Sequence, residues 1–152
     1  MVNIMVETVD CYLIKNNCYL MLHRNKKQND MNHDKYIGIG GHIENGETKE
    51  EACIREIKEE TGLTVHSLEY AGEILFVNDN YEEMMYIFKT NDFSGELIEC
   101  DEGTLHWVPI DKVLDLNLWE GDRKFLPKLR NGEFIKMKLI YNNDKLIRCE
   151  EL

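Results

Sequence analysis

Proline is scarce: only Pro109 and Pro127 occur in 152 residues, and neither lies in a Pro/Gly-rich stretch. No linker, internal repeat or low-complexity segment is visible, so residues 1–152 read as one domain. No apolar run approaches the ~20 residues of a membrane-spanning helix. The segment Met1 to Leu13 is interrupted by Glu7 and Asp10 and has no basic stretch ahead of it, so it does not read as a signal peptide. Together these absences predict a soluble cytoplasmic protein with no membrane partner. Basic charge is also short. Eighteen Lys and Arg stand against 29 Asp and Glu, a net charge of −11. A nucleic-acid polymer is bound through a basic face, so the expectation is that none is bound. A small phosphorylated substrate stays open if a metal cation offsets the repulsion.

Cysteine chemistry is equally limited. The five cysteines (Cys11, Cys18, Cys53, Cys100, Cys149) are odd in number, form no C-x-x-C, and show no zinc-type spacing with the histidines. They read as reduced, small apolar residues. What the chain does have is 43% apolar and 31% charged residues, an ordinary globular composition. A chain of this length buries roughly 70% of its unfolded surface and needs no staples.

Apolar alternation marks strands at residues 3–14 and 18–24, joined by a hairpin turn at Lys15-Asn16-Asn17. Residues 25–34 are polar and read as a loop, and Tyr36 to Gly41 as a short, Gly-rich extended piece. Thr48 to Thr61 is the strongest helix, with a Thr48/Glu51 capping box and Gly62 as its stop. Further strands are predicted at 65–77, 81–90 and 104–108, and a last hairpin at 134–141 and 145–149. A short helix follows Pro109 and another covers Asp122 to Leu129. Strands dominate and do not alternate β-α-β, which predicts an α+β fold with a mixed sheet covered by helices.

The chemistry concentrates in Gly40 to Leu63. On a helical wheel at about 100° per residue, Glu56, Glu59 and Glu60 share one arc. Cys53, Ile54 and Ile57 define the apolar side, so the carboxylate arc borders the buried face. Glu51, Arg55 and Lys58 fall on the solvent-leaning side. Two carboxylates ~4 Å apart repel by about 4 kcal/mol at an effective dielectric of 20. Clustering three beside the core calls for a cation, and all-oxygen ligands suit Mg²⁺ or Mn²⁺. An ordinary acidic helix has about equal weight on spacing alone. Gly38, Gly40 and Gly41 just upstream shift the balance, because a Gly-rich loop lets backbone approach closely and leaves a carbonyl for a metal shell.

These residues resemble the Nudix box, G-x5-E-x7-R-E-U-x-E-E-x-G-U with U apolar. Here it reads Gly41, Glu47, Arg55, Glu56, Ile57, Glu59, Glu60, Gly62 and Leu63, with every specified position matched. The resemblance implies a mixed β-sheet sandwiched between helices, a loop–helix–loop catalytic motif, and hydrolysis of a nucleoside diphosphate linkage with Mg²⁺ or Mn²⁺. It implies Glu56, Glu59 and Glu60 as metal-binding and base-bearing carboxylates. It adds the Gly40 carbonyl as a metal ligand and Arg55 as the residue that orients the glutamates. Glu47 takes a structural or outer-shell role.

Outside the box the chain is similar to the MutT-type branch that removes oxidised purine nucleotides. That likeness implies Glu102 as a further metal ligand, Trp119 and Asp122 lining the base pocket, and Arg24 near the phosphates. It places Ile37 and Gly41 on the substrate-binding surface. Two positions depart from the branch. Ile37 stands where an Asn often reads the base, and Gly121-Asp122 stands where two aspartates are usual. The implied reaction converts a nucleoside triphosphate, 8-oxo-dGTP or a related purine dNTP, to monophosphate and pyrophosphate. The alternatives are another nucleoside-diphosphate derivative such as ADP-ribose, or a ligand-binding module without catalysis. The implied partner is a small nucleotide, and the protein is a monomer or homodimer. Core packing is the first reading for Trp107, Met84 and Met85, and a helix cap is nearly as good a reading of Asp122 as base recognition.

Overall fold

The structure, a computed structural model, describes residues 5–152. Residues 3 and 4 of the first predicted strand lie outside the described residues. Strand β1 (Met5–Lys15) turns into β2 (Cys18–His23) through Asn16 and Asn17, both at positive φ (51° and 61°). That backbone matches the right-handed twist of the flanking strands. The extended Gly-rich piece divides into β3 (Tyr36–Ile37) and β4 (Ile39–His42). Helix α1 (Lys49–Thr61) follows. The Thr48 hydroxyl accepts from the Glu51 N–H at 3.1 Å, and the Glu51 carboxylate accepts from the Thr48 N–H at 2.9 Å. Gly62, at φ 82°, ends it in the left-handed region.

The strand predicted at 65–77 is two pieces, β5 (Thr64–Val65) and β6 (Glu69–Asn78). β6 forms a hairpin with β7 (Tyr81–Thr90). β5 leaves the main sheet to pair with β8 (Phe93–Ser94), too short to show a periodic signal in sequence. β9 (Thr104–Pro109) runs into a 3₁₀ helix (Ile110–Asp115), then come α2 (Asp122–Arg130), β10 (Ile135–Asn142) and β11 (Lys145–Glu151).

The main sheet of the described residues has nine strands in the order β11-β10-β6-β7-β1-β2-β3, with β4 also on β1 and β9 on β2. The β1/β7 and β6/β10 pairs are parallel and the others antiparallel, so the sheet is mixed as expected. Strand alternation builds two layers. Val9, Cys11 and Leu13 of β1 pack with Ala52, Cys53 and Ile57 of α1. Tyr12, between them in sequence, packs on the opposite face with Phe125, Leu126 and Leu129 of α2 and with Ile110 and Val113. The α+β sandwich follows from that period of two. Among the described residues no helix is long and apolar enough to cross a membrane.

Candidate active site

Helix α1 docks on small residues. Ala52, Cys53, Ile57 and Thr61 are buried, whereas Ile54 is 40% exposed. The wheel places Ile54 on the apolar side, and the structure corrects this. Ala52 and Cys53 let the helix seat against the sheet nearer their own side, which turns Ile54 out. The same rotation draws Glu56 and Glu60 inward. A side-chain carbon at position 41 would lie 2.6 Å from the Glu56 carboxyl carbon, so only glycine admits that carboxylate against β4.

Arg55 does not stay on the solvent side. Its stem folds back, leaving the side chain 22% exposed. Nε and Nη2 donate to the Glu47 carboxylate at 2.7 and 2.9 Å, Nη1 donates to Glu56 at 2.8 Å and to Glu59 at 3.3 Å, and Nη2 reaches the His42 carbonyl at 3.1 Å. The fork pulls the Glu47 carboxyl down to about 2, chiefly through these hydrogen bonds. Glu59 remains the open member of the trio, 60% exposed.

Glu60 is the electrostatic centre. Burial first, then the Glu102 carboxylate it faces and the Glu56 charge, push its carboxyl up to about 10. Its Oε2 atom is buried with no hydrogen-bond partner among the described residues. Glu56 is raised too, by burial against the opposing pull of Arg55. Glu102 goes the other way: burial acts to raise it, but its Glu60 neighbour and the Arg24 and Lys27 charges hold it low. Arg24 lies between Asp30 (2.6 Å) and Glu102 (2.7 Å), with its side chain 14% exposed, so it is not a plain surface charge. Among the described residues no three His, Cys, Asp or Glu side chains already form a metal cage. Arg55 turns Glu56 toward Glu47, and Arg24 holds Glu102. The donor set still fits a hard divalent cation. Glu56, Glu60 and Glu102 offer only oxygen, and an orphaned buried carboxylate oxygen is what such an ion satisfies. Gly40 sits beside this cluster in β4, in register with Asp10 of β1.

From the glutamates a cavity of about 410 Å³ extends past Gly40, Gly41 and Ile37 to Trp119 and Asp122. All of the predicted site residues except Arg55 and Glu59 line it, and Arg55 and Glu59 flank Glu56 at its edge. Trp119 is both core and wall. It packs edge-on against Tyr141 and Phe76, and its indole N–H donates to the Asn32 side chain at 2.7 Å. Asp122 is not a cap. Gly121 holds the N-cap position without a side-chain cap bond, and Asp122, the first helical residue, faces the cavity. Burial, with the Asp10 charge adding, pushes its carboxyl well above the usual range. His42 is exposed on a strand at the cavity mouth. Trp107 stacks on Phe93 and packs on the α1-side core, as expected, while Met85 both packs and lines the cavity.

Residues 6–129 match the NUDIX domain family. The chain belongs to the NUDIX family. It is similar to the oxidized purine nucleoside triphosphate hydrolase of Danio rerio, with 39% identity over 95 residues, 61% of each chain. The Mus musculus enzyme of the same name is 33% identical over 97 residues, 62% of each. The match therefore spans under two thirds of these relatives' length. In three dimensions the crystal structure of the mutator MutT protein from Bacillus halodurans superposes with a TM-score of 0.85 at 26% identity, covering 95% of this chain and 96% of that one. The mixed sheet with flanking helices is the NUDIX fold.

Part of this NUDIX cavity is absent from the sequence reading: Asp10, Glu83, Tyr81, Phe76, Asn32 and Tyr141 also line it. Asp10 had one available signal. It is a lone acid inside a strand whose neighbours Val9, Cys11, Tyr12 and Leu13 are all apolar and buried.

Proposed function

We propose that this chain hydrolyses a nucleoside triphosphate, a purine dNTP of the 8-oxo-dGTP class, to the monophosphate and pyrophosphate. The observation that carries this reading is the two-ended cavity. One end holds the glutamates of α1 with Glu102, suited to phosphates and a cation. The other holds the Trp119 ring and the Asp122 carboxyl, suited to a base. The relatives of that printed name support the purine class. Glu56, Glu60 and Glu102 would hold Mg²⁺ or Mn²⁺, with Glu59 and the Gly40 carbonyl completing the set. When bound, such an ion neutralises phosphate oxygens and makes water a better nucleophile.

The chain's own residues do the rest. Arg55 fixes the glutamate geometry, and Arg24 stands beside the phosphate end. Glu59, the most open of the three α1 glutamates and held less closely by Arg55 than Glu56 is, would take the proton of an attacking water. Trp119 stacks on the base while Asp122 accepts from its edge. Water attacks phosphorus in line and pyrophosphate leaves. No nucleophilic Ser or Cys is required.

Two outcomes follow. Glu59→Gln lowers kcat by about a hundredfold or more, within the usual span of general-base removal, and leaves KM near wild type. Normal turnover in that variant would remove Glu59 from the chemistry. Asp122→Ala raises KM for purine dNTPs by about tenfold and for pyrimidine dNTPs by much less, the loss expected when one buried acceptor contact disappears. Steady-state kinetics on the four dNTPs checks this, and equal effects on both classes would take Asp122 out of base recognition.

A further inference from the structure

The base end of the cavity contains a second acid. Asp10 and Asp122 come from β1 and from the first position of α2, 112 residues apart in sequence, yet both are half-buried and line the same end of the cavity. β1 alternation decides the placement of Asp10. Val9 and Cys11 face α1, so Asp10 faces the α2 side with Tyr12. One of its oxygens, Oδ2, accepts from the Tyr12 hydroxyl at 2.9 Å. Among the described residues nothing donates to Oδ1, or to either oxygen of Asp122. The adjacent Glu83 differs, being already satisfied by Thr8 Oγ1 at 2.8 Å and the Tyr81 hydroxyl at 2.6 Å. Gly121 adds no third acid, and a side chain there would have to displace the Leu139 methyl at 2.5 Å and the Tyr141 hydroxyl at 2.8 Å. Arg24, the one Lys or Arg lining the cavity among the described residues, is engaged by Asp30 and Glu102 at the other end.

Acceptors that face a cavity without a protein donor exchange water for a ligand that brings donors, and an analogue that leaves one unmatched is penalised. Whichever of the two acids carries a proton, acceptor oxygens outnumber the O–H. Adenine and cytosine present one exocyclic NH₂ beside a bare ring nitrogen, an acceptor that a carboxylate cannot engage. A 2-amino-6-oxopurine presents a ring N–H beside an exocyclic NH₂ and can engage both acids.

We propose that Asp10 is a specificity-determining residue which, paired with Asp122 across the base end of the cavity, selects 2-amino-6-oxopurines. This deepens, and rests on, the reading of that end as a base pocket. It assigns Asp10 no part in the hydrolysis.

The test compares dGTP, dITP and dATP with wild type and Asp10→Asn, together with calorimetric binding of dGMP and dIMP. dITP lacks only the 2-amino group, and dATP lacks the ring N–H. Wild type is expected to favour dGTP over both by about tenfold or more in kcat/KM, because a site built to hydrogen-bond an N–H rejects analogues without it. Asp10→Asn, nearly isosteric, brings the dGTP/dITP ratio within about threefold through KM, with kcat on dITP kept, as loss of a ground-state contact requires. Retained dIMP binding shows that the variant is folded. An unchanged dGTP/dITP ratio in Asp10→Asn, or an equal loss on every nucleotide, overturns the inference and leaves the hydrolase reading intact. No turnover of any nucleotide by wild type overturns the hydrolase reading itself. The dGMP/dIMP preference then decides the Asp10 assignment alone: its collapse in Asp10→Asn upholds it, and its absence in wild type overturns it.

Discussion

Glu60→Gln abolishes hydrolysis and at the same time stabilises the metal-free protein. The first effect follows from losing an oxygen ligand. A catalytic cation supplies several kcal/mol to the transition state, and each 1.36 kcal/mol is about tenfold in rate. The expected fall in kcat is about a thousandfold. The second effect has the opposite sign. With its folded-state value raised to about 10, Glu60 holds a proton that the unfolded chain releases near its ordinary value of 4.5. Stability of the metal-free protein is therefore highest below that ordinary value and declines as pH rises toward 10. Keeping this carboxyl neutral at pH 7 costs about 3–4 kcal/mol at 1.36 kcal/mol per pH unit above its ordinary value of 4.5, and Gln removes that cost. At roughly 2–4 °C per kcal/mol for a chain of this size, the Tm gain is several degrees at pH 7 and larger at pH 9. Thermal melts in EDTA at pH 5, 7 and 9 check it. A variant less stable than wild type at every pH would show that Glu60 is a structural anchor instead. The same proton links to the ion: binding expels it, so Mn²⁺ affinity should rise by about tenfold per pH unit between pH 6 and 8.

Arg55→Ala is expected to lower kcat by about a hundredfold with little change in KM. Arg55 touches Glu47, Glu56, Glu59 and the His42 carbonyl from a single guanidinium. Its removal leaves three carboxylates to repel one another beside the core, and misplacement of catalytic groups by about 1 Å costs on the order of a hundredfold. Arg55→Lys should recover little, since an ammonium cannot form the two-pronged bond to Glu47 while reaching Glu56. Steady-state kinetics with a melt for each variant separates the effects. Full recovery by Lys would reduce Arg55 to a generic positive charge.

The parts of this molecule that sequence reveals are the local ones. The Thr48/Glu51 cap, the α1 glutamates and the Gly62 stop lie within fifteen residues, so spacing alone carries them. The α+β architecture was legible for the same reason, because strand alternation and turn residues are short-range signals. The rotation of α1 was not: it depends on Ala52 and Cys53 meeting the sheet, which no wheel of the helix contains. Asp10 shows the limit most clearly. Its position in β1 was visible, but its role depends on the pairing that brings it beside β4, near Asp122 at the head of α2. Trp119 packs on the core and also lines the cavity, a double role that depends on contacts with Phe76 and Tyr141 from distant strands.

The central claim is that the carboxylates of α1 and Glu102 hold a divalent cation for cleavage of a nucleotide phosphoanhydride. The most direct measurement is hydrolysis of 8-oxo-dGTP, dGTP, the other dNTPs and ADP-ribose with and without Mg²⁺, resolving products by ion-exchange chromatography and using Glu60→Gln as the control. The predicted result is Mg²⁺-dependent release of monophosphate and pyrophosphate in equal amounts from a purine triphosphate, absent in the variant. Metal-independent turnover, turnover retained by Glu60→Gln, or no turnover of any of these compounds would contradict it.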